Sequence, residues 1–112
     1  ANKVLQLEYA TSAMRNIAKK YNVLTISSTQ AGDSAENKKL LTMGDVDFSN
    51  TGVAAQADVL VGIGGDPLDV QEGRRIINIS KNKLSGKHEN FPVKIVPSLS
   101  RYLSYRGQEQ GE

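Results

Sequence analysis

Apolar residues Leu7, Ala10, Met14, Ile17, Ala18 and Tyr21 recur at helical spacing, with Arg15, Asn16, Lys19 and Lys20 between them. That pattern predicts an amphipathic helix over residues 3–21, stopped at Asn22. The β-branched run Val23-Leu24-Thr25-Ile26-Ser27-Ser28-Thr29 follows with almost no linker and predicts a strand. Gln30 then falls at the C-terminal end of that strand, the edge where open α/β sheets bind ligands. Residues 30–48 lack apolar periodicity and predict a long loop, with a helical turn at Lys38-Lys39-Leu40-Leu41. Ser49 or Asn50 is placed to cap a short helix over 51–57. Asp58-Val59-Leu60-Val61-Gly62-Ile63 is nearly all apolar, which predicts an interior parallel strand covered on both faces. Gly64-Gly65-Asp66-Pro67 ends it and opens an acidic loop to Gly73. Residues 75–81 and 91–96 predict a hairpin turned at Ser85-Gly86-Lys87, and residues 100–103 add a short strand. The expected architecture is an α/β domain over residues 1–106, with parallel strands followed by an antiparallel hairpin. Residues 107–112 are too polar to pack and predict a disordered tail.

The chain has 112 residues, enough for one domain with a modest core. It has no Cys, so no disulfide, in keeping with a reducing cytoplasm. No apolar run spans a bilayer and no signal-peptide pattern opens the chain, so a soluble intracellular protein is expected. Net charge is +2, too little to indicate a partner, but its distribution is uneven. Residues 58–73 carry Asp58, Asp66, Asp69 and Glu72 and no basic residue. Residues 74–94 carry Arg74, Arg75, Lys81, Lys83, Lys87 and Lys94 against Glu89, a local basic element suited to phosphate or to an ordinary solvated hairpin.

Several chemistries lack their residues. His88 is the one histidine, and with no Cys a conventional zinc site has no ligand set. No Gly-x-Ser-x-Gly elbow accompanies His88, which reads as a surface residue of the hairpin loop. Gly62-x-Gly64-Gly65 follows a strand but misses the dinucleotide spacing and reads as a turn. No Gly-x-x-x-x-Gly-Lys-Ser/Thr occurs, so the chain has no P-loop. Asp45 and Asp47 are close enough to share a cation, although paired loop carboxylates are more often solvated.

The ordered set of a helix, Val23–Gln30, a polar loop, Gly52–Val61 and Ile77-Asn78-Ile79-Ser80-Lys81-Asn82-Lys83-x-x-Gly86 resembles the C-terminal half of the RecA-like ATPase core of DnaB-type hexameric replicative helicases, phage or bacterial. The resemblance covers residues 3–103. It implies that Gln30 senses the γ-phosphate, since an amide both donates and accepts. It implies that residues 31–52 form the loop that holds single-stranded DNA, with Lys38, Lys39 and the backbone at Asn50, Thr51 and Gly52 as contacts. It implies that Lys81 and Lys83 reach the neighbouring subunit's nucleotide as trans-acting cations. Lys83 stands where the family has Arg, so a point charge replaces a bidentate fork. ATP and Mg²⁺ are the implied cofactors of the whole protein and a hexameric ring its assembly. The P-loop and catalytic carboxylate are expected upstream of Ala1, leaving this chain inactive alone. A RecA-like recombinase fragment, or a non-enzymatic α/β assembly module, also fits the residues.

Overall fold

A computed structural model describes residues 3–46 and 53–105. Helix α1 spans Lys3–Tyr21, as its periodicity predicts. It stops at Asn22, whose φ of 53° is left-handed. The Val23 N–H turns back to donate to the Ala18 carbonyl at 3.1 Å. Asn tolerates this conformation better than other L-residues, which is why it ends the helix.

The strand expected at 23–29 does not form. Residues 23–30 belong to no strand or helix. A β-branched run has strand propensity, but a strand exists only where a partner accepts its hydrogen bonds. Leu24 and Ile26 are 82% and 84% exposed. The parallel sheet is therefore corrected: the sheet present is wholly antiparallel.

That sheet has four strands in the order β1-β2-β3-β4: Val59–Gly64, Arg74–Asn82, Asn90–Val96 and Arg101–Ser104. All three pairings are antiparallel. The expected interior parallel strand, β1, is thus an antiparallel edge strand. Its apolar character reflects one exposed face rather than two covered ones. Two further short helices are α2, Val53–Gln56, and α3, Pro67–Gln71. The expected helix at 51–57 contracts to α2 within the described residues. Helix α3 lies inside the expected acidic loop. Its signal was in the sequence: Asp66 caps it, Pro67 opens it, and Asp69 completes a reciprocal capping box. Lys38-Lys39-Leu40-Leu41 forms no helical turn and runs as irregular chain, because its backbone is used by the sheet instead. The expected cap at Ser49 or Asn50 and the tail at 107–112 lie outside the described residues.

A bulge gives β2 its functional asymmetry. Leu60 pairs with Lys81 and Val61 with Ile79, so Ser80 is the extra residue. The bulge re-aims the residue beyond it. Lys81 thereby shares a face with Asn78 instead of alternating away from it.

The two faces of the sheet differ. On one face Gly62 and Gly64 leave room for residues 38–41 to lie directly on β1. A Cβ on Gly64 would sit 2.5 Å from the Lys39 carbonyl oxygen. On the other face are Val61, Ile63, Phe91 and Tyr102, 47–53% exposed. Among the described residues the one buried apolar side chain is Ala54. The modest core expected from chain length is smaller still, and polar contacts carry much of the organisation.

Candidate functional site

The loop after Gln30 is closed at its base and fastened to the sheet. Ala31 and Val46 form an isolated antiparallel bridge. The Gly32 N–H donates to the Asp45 carbonyl at 2.7 Å. Inside this closure Asp45, 3% exposed, accepts from Lys38 Nζ at 2.8 Å, Ser34 Oγ at 2.8 Å and the Thr42 N–H at 2.8 Å. Burial pushes the Asp45 pKa up. The Lys38 ammonium and the Thr42 and Ser34 donors outweigh that and hold the carboxyl well below the usual carboxylate range. Asp45 is thus an organising residue of the loop, not the solvated carboxylate expected. Asp47 lies outside the described residues.

Three contacts tie the loop to the hairpin. The Gly65 N–H donates to the Lys38 carbonyl at 2.8 Å. Asn78, 8% exposed, grips Leu41 at both backbone groups, accepting from its N–H at 3.1 Å and donating to its carbonyl at 2.7 Å. Lys39 Nζ meets Asp69 at 2.8 Å and Asp66 at 3.2 Å. Asp69 is fully buried and also accepts from Arg74 Nε at 2.7 Å. Burial again pushes its pKa up, and Lys39, the Asp66 N–H and Arg74 together bring it well below the usual range. Hydrogen bonding to Asp69 raises the Lys39 pKa above its ordinary value.

A second cluster gathers at the junction of α2 and β2. Lys81 Nζ donates to the carbonyls of Ala54 at 3.1 Å and Ala55 at 2.8 Å. These are unsatisfied carbonyls at a helix end, where a cation is favoured. Desolvation by burial and the neighbouring Lys83 lower the Lys81 pKa. Arg15 of α1 donates to the Gln56 carbonyl at 2.8 Å and to Asp58 at 3.2 Å. Ser12 donates to the Gln56 side chain at 2.9 Å. Hydrogen bonding to Arg15 holds the Asp58 carboxyl below its ordinary value. The Lys83 N–H donates to the Asp58 carbonyl at 2.9 Å. The Lys83 side chain is exposed and makes no ion pair among the described residues. Three cations, Arg15, Lys81 and Lys83, thus surround Asp58. Arg15 was not anticipated, since its helical position reads as an ordinary polar face.

The expected site residues are therefore distributed unequally. Lys38 and Lys39 face internal carboxylates, and Lys81 holds a helix end. Gln30 is exposed and adjoins the Ala31–Val46 bridge. Asn50, Thr51 and Gly52 lie outside the described residues. His88 is exposed in the hairpin loop and borders an open groove with Leu41 and Thr42. We expect Lys81→Met to uncap α2 at a cost of about 1 kcal/mol. Amide exchange at Gln56 and Ala57 should quicken while β3 is unaffected; uniform protection would show that the contact is dispensable.

Comparison with known proteins bears on the fold. The structure superposes on a solved ATPase domain with a TM-score of 0.76, at 13% sequence identity, over 95% of this chain and 39% of that one. The fold is that of part of an ATPase domain, an α/β arrangement carrying a four-stranded antiparallel sheet. The particular protein to which that domain belongs is a DnaB-type helicase, and this chain spans well under half the length of the solved domain. No protein-family profile and no curated protein match the sequence. No helix among the described residues is long and apolar enough to cross a membrane.

Proposed function

We propose that this chain is the C-terminal part of the RecA-like ATPase core of a DnaB-type replicative helicase. The carrying observation is the fold likeness over 95% of the chain, combined with chain order: Gln30, a fastened loop, then a hairpin ending in Lys81-Asn82-Lys83. In this reading the whole protein hydrolyses ATP as a ring of subunits, six in number, while moving along single-stranded DNA in a bacterial cytoplasm. The chain alone does not turn over nucleotide.

The residues fit nucleotide only as outside contributors. No described helix opens on a Gly-rich phosphate loop, and no group of three or more acidic or histidine side chains able to hold a metal occurs among the described residues. The phosphate cradle and the Mg²⁺ ligands come from elsewhere in the whole protein. When bound, Mg²⁺ would supply charge neutralisation on the phosphates. Gln30 offers an exposed amide toward a terminal phosphate. Lys83 offers an ammonium free of ion pairs among the described residues. Gln30 leads through Ala31 and its bridge to Val46 straight into the DNA loop. A change at the amide therefore has a short, hydrogen-bonded route into the loop that carries Lys38 and Lys39.

The test uses the full-length protein. Gln30→Ala should leave nucleotide affinity within about threefold and abolish the acceleration of hydrolysis by single-stranded DNA, as expected for loss of one positioned amide. Undiminished DNA stimulation in the variant would remove the sensor role.

A further inference from the structure

Lys39 sits in an unusual position for a residue expected to meet DNA. Its ammonium lies between two carboxylate oxygens, Asp69 Oδ2 at 2.8 Å and Asp66 Oδ2 at 3.2 Å. Two anionic oxygens at that range are the surroundings a nucleic-acid phosphate would offer. The contact also fastens the loop: Lys39 adjoins Lys38, whose carbonyl takes the Gly65 N–H at 2.8 Å. Gly64 lets both lie flat on β1.

The two partners of this ion pair are unequal. Asp69 is fully buried, whereas the Lys39 side chain is 49% exposed. Taking Lys39 away does not strand the buried carboxylate. Asp69 keeps Arg74 Nε at 2.7 Å and the Asp66 N–H at 3.0 Å. Arg74 is itself steadied by Glu72 at 2.8 Å and by the Tyr105 ring, 5.8 Å from its guanidinium carbon. Breaking a buried pair is costly when it leaves a charge uncompensated. Here a second cation remains, so Lys39 is the exchangeable member and Arg74 the permanent one.

We propose that Asp66 and Asp69 act as an internal phosphate surrogate that withholds Lys39. A phosphate-bearing chain bound on the loop takes Lys39 from them, and that exchange frees the loop from the hairpin. Asp69 is thus a positioning residue for the DNA loop. The proposal rests on the nucleic-acid reading above for its natural ligand, but the latch itself does not.

The experiment has two arms. In the first, hydrogen exchange is followed at Leu41 and Gly65 in the unliganded chain. Lys39→Ala should speed exchange there about tenfold, leave the β2–β3 amides unchanged, and be largely rescued by Lys39→Arg. Unaltered exchange at both amides overturns the latch. In the second, binding of a fluorescein-labelled oligothymidylate and of inorganic polyphosphate is measured against salt. Each phosphate neutralised on a single strand adds about 0.7 to the log–log salt slope. Asp69→Asn should steepen the slope by about that amount and tighten binding severalfold at low salt. Lys39→Ala should make it shallower by as much, and in the double variant the Asp69→Asn gain should vanish. Independent, additive effects of the two substitutions overturn the exchange. Coupling seen with polyphosphate but not with oligothymidylate supports the exchange and overturns the DNA reading. Should Asp69→Asn fail to fold, Lys39→Ala and Lys39→Arg decide both arms.

Discussion

Gly64→Val is expected to lift residues 38–41 off the sheet. The new Cβ would lie 2.5 Å from the Lys39 carbonyl oxygen and 2.7 Å from that of Lys38. Both obstacles are backbone, so no rotamer change relieves them. One outcome is overpacking with the loop held in place, at about 3 kcal/mol. The other is release of the loop, which limits the cost to what docking contributes. The polar contacts favour release, because Lys39 and Leu41 are held by single side chains, Asp69 and Asn78, at the far side of the clash. Urea unfolding gives the total cost, and hydrogen exchange separates the two outcomes. Rapid exchange at Gly65 and Leu41, with slow exchange retained at Ile77 and Ile79, is the expected pattern. Gly62→Ala should do less, since its Cβ meets the Asn78 Oδ1 and Leu41 Cβ atoms, at 2.7 and 2.9 Å, and side chains can give way. A Gly64→Val chain with wild-type protection throughout would mean that the loop does not rest on β1.

In the full-length protein, Lys83→Ala is expected to lower hydrolysis on the order of 10²- to 10³-fold, the range for removing one electrostatic stabiliser at a reaction centre. The structure reverses the order in which the two lysines recommend themselves. Lys81 matches the resembled motif directly, yet its ammonium is occupied by the Ala54 and Ala55 carbonyls. Lys83 departs from that motif, yet its side chain is exposed and free of ion pairs among the described residues. The bulge at Ser80 is the cause, since it turns Lys81 toward α2. The two substitutions should therefore fail differently. Lys83→Ala should lower turnover with an unchanged melting temperature, and doped into rings with P-loop-dead subunits it should act on its neighbour's site. Lys81→Met should lower stability first and turnover only as a consequence. A Lys83→Ala ring with full activity would return Lys83 to the solvated surface.

How legible this was differs element by element. Helix α1, the stop at Asn22, the β2–β3 hairpin and its turn, and β4 follow from local patterns, and each forms within a residue or two of where those patterns place it. The strand at 23–29 and the orientation of β1 depend on partners distant in sequence, which periodicity does not report. The same holds for the site. Lys38, Lys39 and Lys81 could be singled out as cations, but what each ammonium faces is decided by Asp45, Asp69 and the α2 carbonyls, up to 30 residues away. Asp69 carried a readable sign, the Asp66-Pro67-x-Asp69 capping box. Nothing local hinted that the same carboxylate would also receive a lysine from the loop.

The exposed side of the sheet, with Val61, Ile63, Phe91 and Tyr102, has a thermodynamic consequence. Any species that covers it binds the folded chain and not the unfolded one, and so adds RT ln(1 + [L]/Kd) to stability. With Ala54 as the one buried apolar side chain among the described residues, that added quantity is large beside what the chain holds by itself. Its melting temperature is then a titration curve. It rises with the concentration of whatever lies against those four side chains, and measured on the chain alone it reports the bottom of that curve.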